Sequence, residues 1–421
     1  MENPIDNNSA TSSSWYARIR PLHSLQHRSW RILWFAGNLW QLAFWMDLLV
    51  LGWLVLELTD SPFQVSMVAA CRMFPLVLGL YFGSLGDRFS KRNLLVVVQL
   101  LNAFASIALM TLLLAGVAQL WHIYVVALLT GVGFAADFPI RQAFIRDLVP
   151  EGSLVNAMSL DTASWAAVSM IGRFLGGGLL ALVGAGGAYA FLSGCYVLGL
   201  LFLARVPSIK PASDSNKNRE SIIGGLAAGL RYSLGSPIVR GVIIVTVLVN
   251  ALVFSYTSLT PVFAKDVLGV GPGLLGVMSG MEGVGFLVGA MIMASVGSRV
   301  GRLGLIFLLG ALTISIGTFL FSISTVYIVS VAMLFLVGLG MGGFITTQHV
   351  LSISKVHPEM RARVMGVLAM FLVSMPLGFA YVGFLADSMG APRAVGVNTF
   401  AAILILIVLI ALQSKLRRFS M

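Results

Sequence analysis

"GDRFSKR", residues 86–92, sets four charged side chains into seven positions between two stretches that are almost wholly apolar. Such a knot of charge suits a short loop at a membrane surface, and the rest of the chain has the composition to match. Of 421 residues, 58% are hydrophobic and only 10% charged, against about a quarter charged in soluble globular proteins. Apolar runs of spanning length fall at 32–58, 64–86, 94–117, 121–146, 154–182, 187–205, 240–264, 273–297, 303–322, 326–353, 363–386 and 394–414. They predict about twelve membrane helices. Lipid offers backbone amides no water, so only helices or a closed barrel cross it, and uninterrupted runs of this length exclude barrel strands.

The net charge of +11 could suggest nucleic acid, but the positions of the basic residues decide otherwise. If both ends lie on one side, that side holds every Lys and Arg except Arg72, Arg173, Lys265 and Arg393, which is 23 of 27. A bias this clean predicts that both termini are cytoplasmic. The basic excess is therefore topology, and no nucleic-acid partner is expected. The first fourteen residues are polar and lack the pattern of a secretory signal, so they read as a disordered tail. Cys71 and Cys195 lie inside apolar segments and read as small core residues.

The chain divides into a tail (1–31), a six-helix bundle (32–205), a cytoplasmic linker (206–239), a second six-helix bundle (240–414) and a short basic tail (415–421). Within the linker, 219–234 suits an amphipathic helix on the inner surface, with Arg219 and Arg231 towards headgroups. The halves echo each other: "GDRFSK" at 86–91 aligns with "GSRVGR" at 297–302, and "RQAFIRDLVPEGSLVNAMSL" at 141–160 with "QHVLSISKVHPEMRARVMGVL" at 348–368. Such repetition predicts two bundles related by an axis along the membrane normal, with a site between them near mid-depth.

At this point the residues resemble the major facilitator superfamily, over nearly the whole chain. "GSLGDRFSKR" (83–92) is similar to that superfamily's loop between helices two and three, with Gly83, Leu85, Asp87, Arg88, Lys91 and Arg92 in matching places, Gly86 counted with the latch, and Ser90 in place of the usual glycine. "ELTDSP" (57–62), "RQAFIRDLVP" (141–150) and "HPEMRARVMG" (357–366) resemble the branch of enterobactin exporters and macrolide efflux proteins. The resemblance implies an all-α fold of two six-helix bundles, alternating access, and a latch in which Asp87 meets the start of helix eleven near Arg361 and Arg363. A pure positive-inside anchor is the plainer reading of the same charges. One departure is notable. Where antiporters often carry Gly-Pro-x-x-Gly-Gly on helix five, this chain has Gly172, Arg173, Gly176 and Gly177, with arginine in the proline position.

An ionisable side chain at the centre of a span costs about 2.5–3.5 kcal/mol on insertion scales, so it usually has a partner or a task. Counting ~1.5 Å per residue from the inner ends puts Asp47, Arg72 and Glu282 at a common depth of roughly 21–22 Å. Glu282, read as the unpaired acid, is the first choice for a proton carrier, and Asp47 the second. A permanent Asp47–Arg72 pair is the competing structural reading. At 100° per residue, Asn38, Gln41, Trp45 and Gly52 share one face of helix one while Asp47 lies roughly opposite with Trp40, Leu51 and Leu54; a cavity lined by the amide face would make Asp47 structural. Asp137, Arg141 and Asp161 form an expected inner cluster: a salt-bridge network, a gate at the cytoplasmic mouth or a substrate-binding group. Arg173, read as lying near the outer end of helix five, is left to snorkel, to pair with Glu57 or to receive an anionic substrate.

By resemblance, helices one, four, seven and ten line the path, offering Asn38, Gln41, Trp45, Phe134, Asn250, Tyr256 and Gln348, with Arg72 and Asp137 nearby. Aromatic area mixed with neutral hydrogen-bonding groups suits a small amphipathic molecule. The histidines lack metal-ligand spacing, and no GxxxxGK[ST] loop is present, so neither metal, cofactor nor ATP hydrolysis is expected. The reading is therefore a monomeric, non-enzymatic secondary transporter of the bacterial inner membrane, exporting a drug or siderophore in exchange for protons. Its rivals are an importer or facilitator of an organic anion, using Arg72 or Arg173, and a lipid-handling or regulatory membrane protein that does not transport.

Overall fold

A computed structural model describes residues 20–209, 222–296, 302–354, 356–413 and 417. Among them the chain is helical throughout, with ten helices long and apolar enough to cross a membrane. One of the ten, Glu151–Leu203, has 53 residues, about 80 Å at 1.5 Å per residue and far beyond a bilayer core of about 30 Å. It is broken at Gly184, where φ 69° and ψ −177° reverse the chain, so it supplies the fifth and sixth spans. The second span is also divided: Pro62–Met73, a tight turn over Phe74–Leu78, and Gly79–Arg88. Pro75 removes a backbone donor there and favours the tighter winding. With these two the chain makes twelve crossings.

Local chemistry sets several boundaries. In "ELTDSP", Asp60 ends the first span (Arg28–Thr59) in the left-handed conformation, and the Ser61 hydroxyl accepts from the Gln64 amide at 3.3 Å to start the second, with Pro62 in the first turn. The seventh span runs as Pro237–Leu248, a wide turn at Val249–Val253, Tyr256–Val262 and a second wide turn at Phe263–Val267. Pro261 interrupts its ladder, and Gly52 of the first span makes room for the proline ring, which lies 3.0 Å from where a Cβ at Gly52 would sit. The expected surface helix is present as Ile222–Gly235, with Arg231 exposed; it packs on Pro358–Phe371, the first piece of the eleventh span, while Arg219 falls outside the described residues. Of the repeat copy at 297–302, only Arg302 is described.

Both halves meet on the face opposite the basic loops. There Lys265 binds Asp60 at 2.5 Å, the Ser61 hydroxyl donates to Asp387 at 3.4 Å, and Ser66 and Ser258 share a buried hydrogen bond of 3.0 Å. The fifth and eighth (Pro272–Val296) spans run antiparallel in close contact, with a glycine of the eighth at each of four rungs. Met170 faces Gly283, Phe174 faces Gly280, Gly177 faces Gly276, and Ala181 faces Gly273. Added methyls at Gly177 or Gly276 would lie within 2.5–2.9 Å of the opposing backbone. Small residues let two backbones approach this closely inside lipid, where dispersion rather than water exclusion drives association. Among the described residues no comparable packing joins Gly79–Arg88 to Pro358–Phe371 on the basic face. The molecule is therefore closed on one side and parted on the other.

Candidate functional site

Within the first half, Asp47 and Arg72 form an ion pair in which each side chain is only 1% exposed. Thr130 accepts from the same Arg72 nitrogen at 2.9 Å, the Phe44 carbonyl accepts from the other terminal nitrogen at 3.2 Å, and the Tyr189 hydroxyl donates to Asp47. The guanidinium also lies 4.5 Å from the centre of the Phe44 ring. First, second, fourth (Leu120–Leu148) and sixth spans all contribute. Asp47 is buried together with Trp40, Leu51 and Leu54, while Asn38, Trp45 and Gly52 of the other face keep partial exposure. Gln41, placed with that second face by the helical wheel, is nevertheless only 2% exposed.

Glu282 is not an unpaired acid. Arg173 reaches across from the first half, its Nη1 standing 3.4 Å from Glu282 Oε1, and the Tyr256 hydroxyl donates to Oε2 at 2.8 Å. The same Nη1 donates to the Ser279 carbonyl at 3.2 Å, one turn before Glu282. The expected set of Asp47, Arg72 and Glu282 thus separates into two: one pair within a half, one between halves. Arg173 does not sit near the outer end either. Its helix continues to Gly184, which places it about 16 Å from that end and near mid-depth. Nor does it pair with Glu57, which accepts from the Trp53 indole at 2.6 Å. Among the described residues, Nε and Nη2 of Arg173 have no hydrogen-bond acceptor, and the guanidinium lies 4.7 Å from the centre of the Trp45 ring.

From Arg173 towards the basic face extends a shelf of aromatic rings. Trp45 meets Trp165 edge-on at 5.6 Å; Trp165 stacks on Phe134 at 6.0 Å, and Phe134 on Phe44 at 4.5 Å. Phe138 meets Trp165 at 6.4 Å and is 54% exposed. Trp165 escaped the sequence reading because the fifth span was not counted among those lining the path. Its signal was present, since it lies two turns before Arg173 on one helix face.

Further towards the basic face, Arg141 holds Asp137 with two bonds of 2.7 Å, and its guanidinium lies 5.6 Å from the Trp40 ring centre. It fits beneath Gly37, where any Cβ would collide with the guanidinium. Asp161 joins this cluster through Gln142, which donates at 3.2 Å. In the second half, Gln348 donates to Thr246 at 2.6 Å, whereas Asn250 and Tyr256 are buried. At the charged loop, Gly83 and Gly86 pack towards Pro139 and Ile140, Lys91 binds Asp147 at 2.6 Å, and Arg92 donates to the Ala204 carbonyl at 2.8 Å. Arg88 and Arg361 are exposed, and Arg361 donates to the Val356 carbonyl at 3.3 Å; Arg363 contacts Met360 Sδ at 3.6 Å. The Asp87 side chain, the other member of the expected latch, lies outside the described residues. Among the described residues no group of His, Cys, Asp and Glu could hold a metal ion.

Two six-helix halves meeting on one face and parted on the other, with charge pairs at mid-depth, define a secondary transporter of the major facilitator type. The chain belongs to the transmembrane secretion effector family, which it matches over residues 19–421. It is 24% identical to the staphyloferrin A transporter of Staphylococcus aureus over 392 residues, spanning 91% of this chain and 94% of that one. It is also 24% identical to the enterobactin exporter of Escherichia coli, over 86% of each chain. Among solved structures, a POT family transporter in complex with 5-aminolevulinic acid superposes with a TM-score of 0.75 at 12% identity, covering 92% of this chain and 96% of that one. A bacterial homologue of the lysosomal transporter Spinster, inward-facing and unoccupied, gives 0.68 at 14% identity, covering 93% and 96%. At such identities these structures support the fold alone. The chain is a multi-pass membrane protein that transports small molecules and is not an enzyme.

Proposed function

We propose that the chain exports a small amphipathic compound of the siderophore or drug class across the bacterial inner membrane, in exchange for protons. The basic face is then cytoplasmic, both termini lie inside, and the conformation described above is open to the cytoplasm. One observation carries the reading: a carboxyl at mid-depth, Glu282, lies across the boundary between halves from Arg173, next to an aromatic shelf reaching the open side. Burial favours the neutral form of a carboxyl and a guanidinium favours the charged form. A group held between those influences takes up or releases a proton as its surroundings change. Rings of Trp45, Phe134, Phe138 and Trp165 supply area for a planar apolar body, with Asn38 beside them for hydrogen bonds. The named substrates of the two relatives, staphyloferrin A and enterobactin, support the siderophore class.

The experiment is uptake into inside-out vesicles containing the full chain, with a panel of siderophores and amphipathic drugs. Uptake that rises with an acid interior and stops on adding a protonophore is the expected result. Flux indifferent to the gradient makes the protein a facilitator; no flux for any compound favours a non-transporting role.

A second reading, passage of an organic anion, draws on the unused donors of Arg173. An anion seated there would displace Glu282, which would then take up a proton, so anion and proton would move in the same direction. The sign of the pH-gradient effect separates the two readings.

A further inference from the structure

We infer that Arg173 is a coupling residue: by pairing with Glu282 across the two halves, it holds the empty, deprotonated carrier shut on its outer face. The inference rests on the reading of Glu282 as the proton carrier and assigns a task to the arginine that replaces the motif proline. Coupled exchange needs more than a proton site. A carrier that opens outward while carrying neither proton nor substrate dissipates the gradient, so the empty form has to be prevented from crossing.

The geometry supplies that restraint. Of the glycine rungs along the fifth–eighth span contact, Met170 against Gly283 is the one farthest from the outer face, and Arg173 and Glu282 lie beside it. Everything beyond, through Gly177 and Gly276 to Ala181 and Gly273, must part for the outer mouth to open. Arg173 is anchored to its own half by the Trp45 ring and reaches the other through the Ser279 carbonyl and Glu282. Arg173 is 15% exposed and Glu282 8%. Pulling the pair apart leaves two unpaired charges at mid-depth, a far larger penalty than breaking a surface pair.

Protonation of Glu282 removes that penalty. Glu282 becomes neutral, Tyr256 remains hydrogen-bonded to it, and Arg173 keeps the indole face. A cationic or hydrogen-bond-donating substrate on the aromatic shelf that engages Glu282 has the same effect. Among the described residues, the charged and titratable side chains facing Glu282 are Arg173 and Tyr256. When the outer side closes again, Arg173 returns to Glu282 and favours its ionised form, sending the proton to the open cytoplasmic side.

The test reads the outer seam directly, without substrate. Ser66 is fully buried between the halves. A full-length Ser66→Cys reporter with Cys71→Ala and Cys195→Ala is labelled from outside, in right-side-out vesicles, by a membrane-impermeant maleimide. Labelling, normalised at each pH to a permanently exposed cysteine because maleimide attack falls with the thiolate fraction, should be slow at neutral pH and about tenfold faster once acid neutralises Glu282. In the same background Arg173→Gln should label fast at both pH values, Arg173→Lys should stay near the parent, and the exchange Arg173→Glu with Glu282→Arg should return neutral-pH labelling towards slow. Normalised labelling indifferent to pH would leave the seam to the Gly177–Gly276 packing alone and overturn the inference. If Arg173→Gln fails to reach the membrane, Glu282→Gln carries the same measurement, because its amide matches the carboxyl in shape. Slow labelling of either variant at neutral pH overturns the inference, as does an exchange variant that labels as fast as Arg173→Gln. Labelling as expected in vesicles that show no proton-linked transport would leave the lock standing and remove the export reading instead.

Discussion

Asp47 and Arg72 close an ion pair inside one half of the transporter, and among the described residues every hydrogen-bond partner of the pair belongs to that half. Rocking one half against the other leaves such a pair intact. That separates it from Arg173 and Glu282 and gives it the work of holding four spans together.

Replacing Asp47 with Asn should therefore cost about 3–5 kcal/mol of stability, the range for stranding one partner of a buried pair. The double change Asp47→Leu with Arg72→Met should cost less than the two single changes summed. Thermal unfolding in detergent, run as a four-way cycle, measures this; strict additivity would show that the two charges do not act as a pair.

Glu282→Gln keeps the shape of the side chain and the Tyr256 contact but cannot ionise. Exchange of labelled for unlabelled substrate across the membrane should persist, while transport driven by a pH gradient should fall at least about tenfold, as for removal of a group whose charge is used in only part of the cycle. A variant still driven by the gradient would take the proton-carrying role away from Glu282.

At the fifth–eighth span contact, Gly177→Ala places a methyl 2.5 Å from the Gly276 Cα and the Pro272 carbonyl. Both obstacles are backbone, so the seam has to widen. We expect faster external labelling of the Ser66→Cys reporter and weaker transport, whereas Gly178→Ala, whose Cβ meets nothing within 4 Å, should behave as the parent.

Gly184 offers a different kind of test. Its φ of 69° and ψ of −177° lie in a region that only glycine occupies readily, yet a Cβ there would touch nothing within 4 Å. Gly184→Ala should thus cost about 1–3 kcal/mol from backbone conformation alone, read as a lower unfolding temperature with the substrate profile unchanged.

Trp165→Ala should raise the KM for aromatic substrates by about 2–12-fold, in line with the roughly 0.5–1.5 kcal/mol of a ring–ring contact, with a far smaller change for Trp165→Phe. Equal loss with both would point to a packing role rather than to the shelf.

How much of this was written in the chain varies with the distance over which each feature is encoded. The spans were legible because length and apolarity are local, and the fifth and sixth separate at Gly184, between the runs 154–182 and 187–205. Matched depths brought Asp47 and Arg72 together, and the wheel placed Asp47 away from Trp45, since both follow from a helix's rise and turn. Arg173 and Glu282 were missed as a pair because their contact depends on how two bundles dock, which no helical period encodes. A trace of it was there: glycines at 172, 176 and 177 and at 276, 280 and 283 lie beside those charges, and two such stretches can approach closely enough for an arginine to reach across. Gln41 shows the opposite failure, because a wheel fixes angle but not how neighbouring spans cover it.

Every indole in the chain, from Trp15 to Trp165, belongs to its first half or the tail before it, including the rings beside Arg173. Tryptophan emission therefore comes from a single bundle. Trp45 and Trp165 become built-in optical sensors of whatever lands on the shelf, and the other bundle stays dark at the red edge of excitation. A quencher attached to that dark bundle would dim the indoles of the first as the halves approach, so their separation can be followed through native emission.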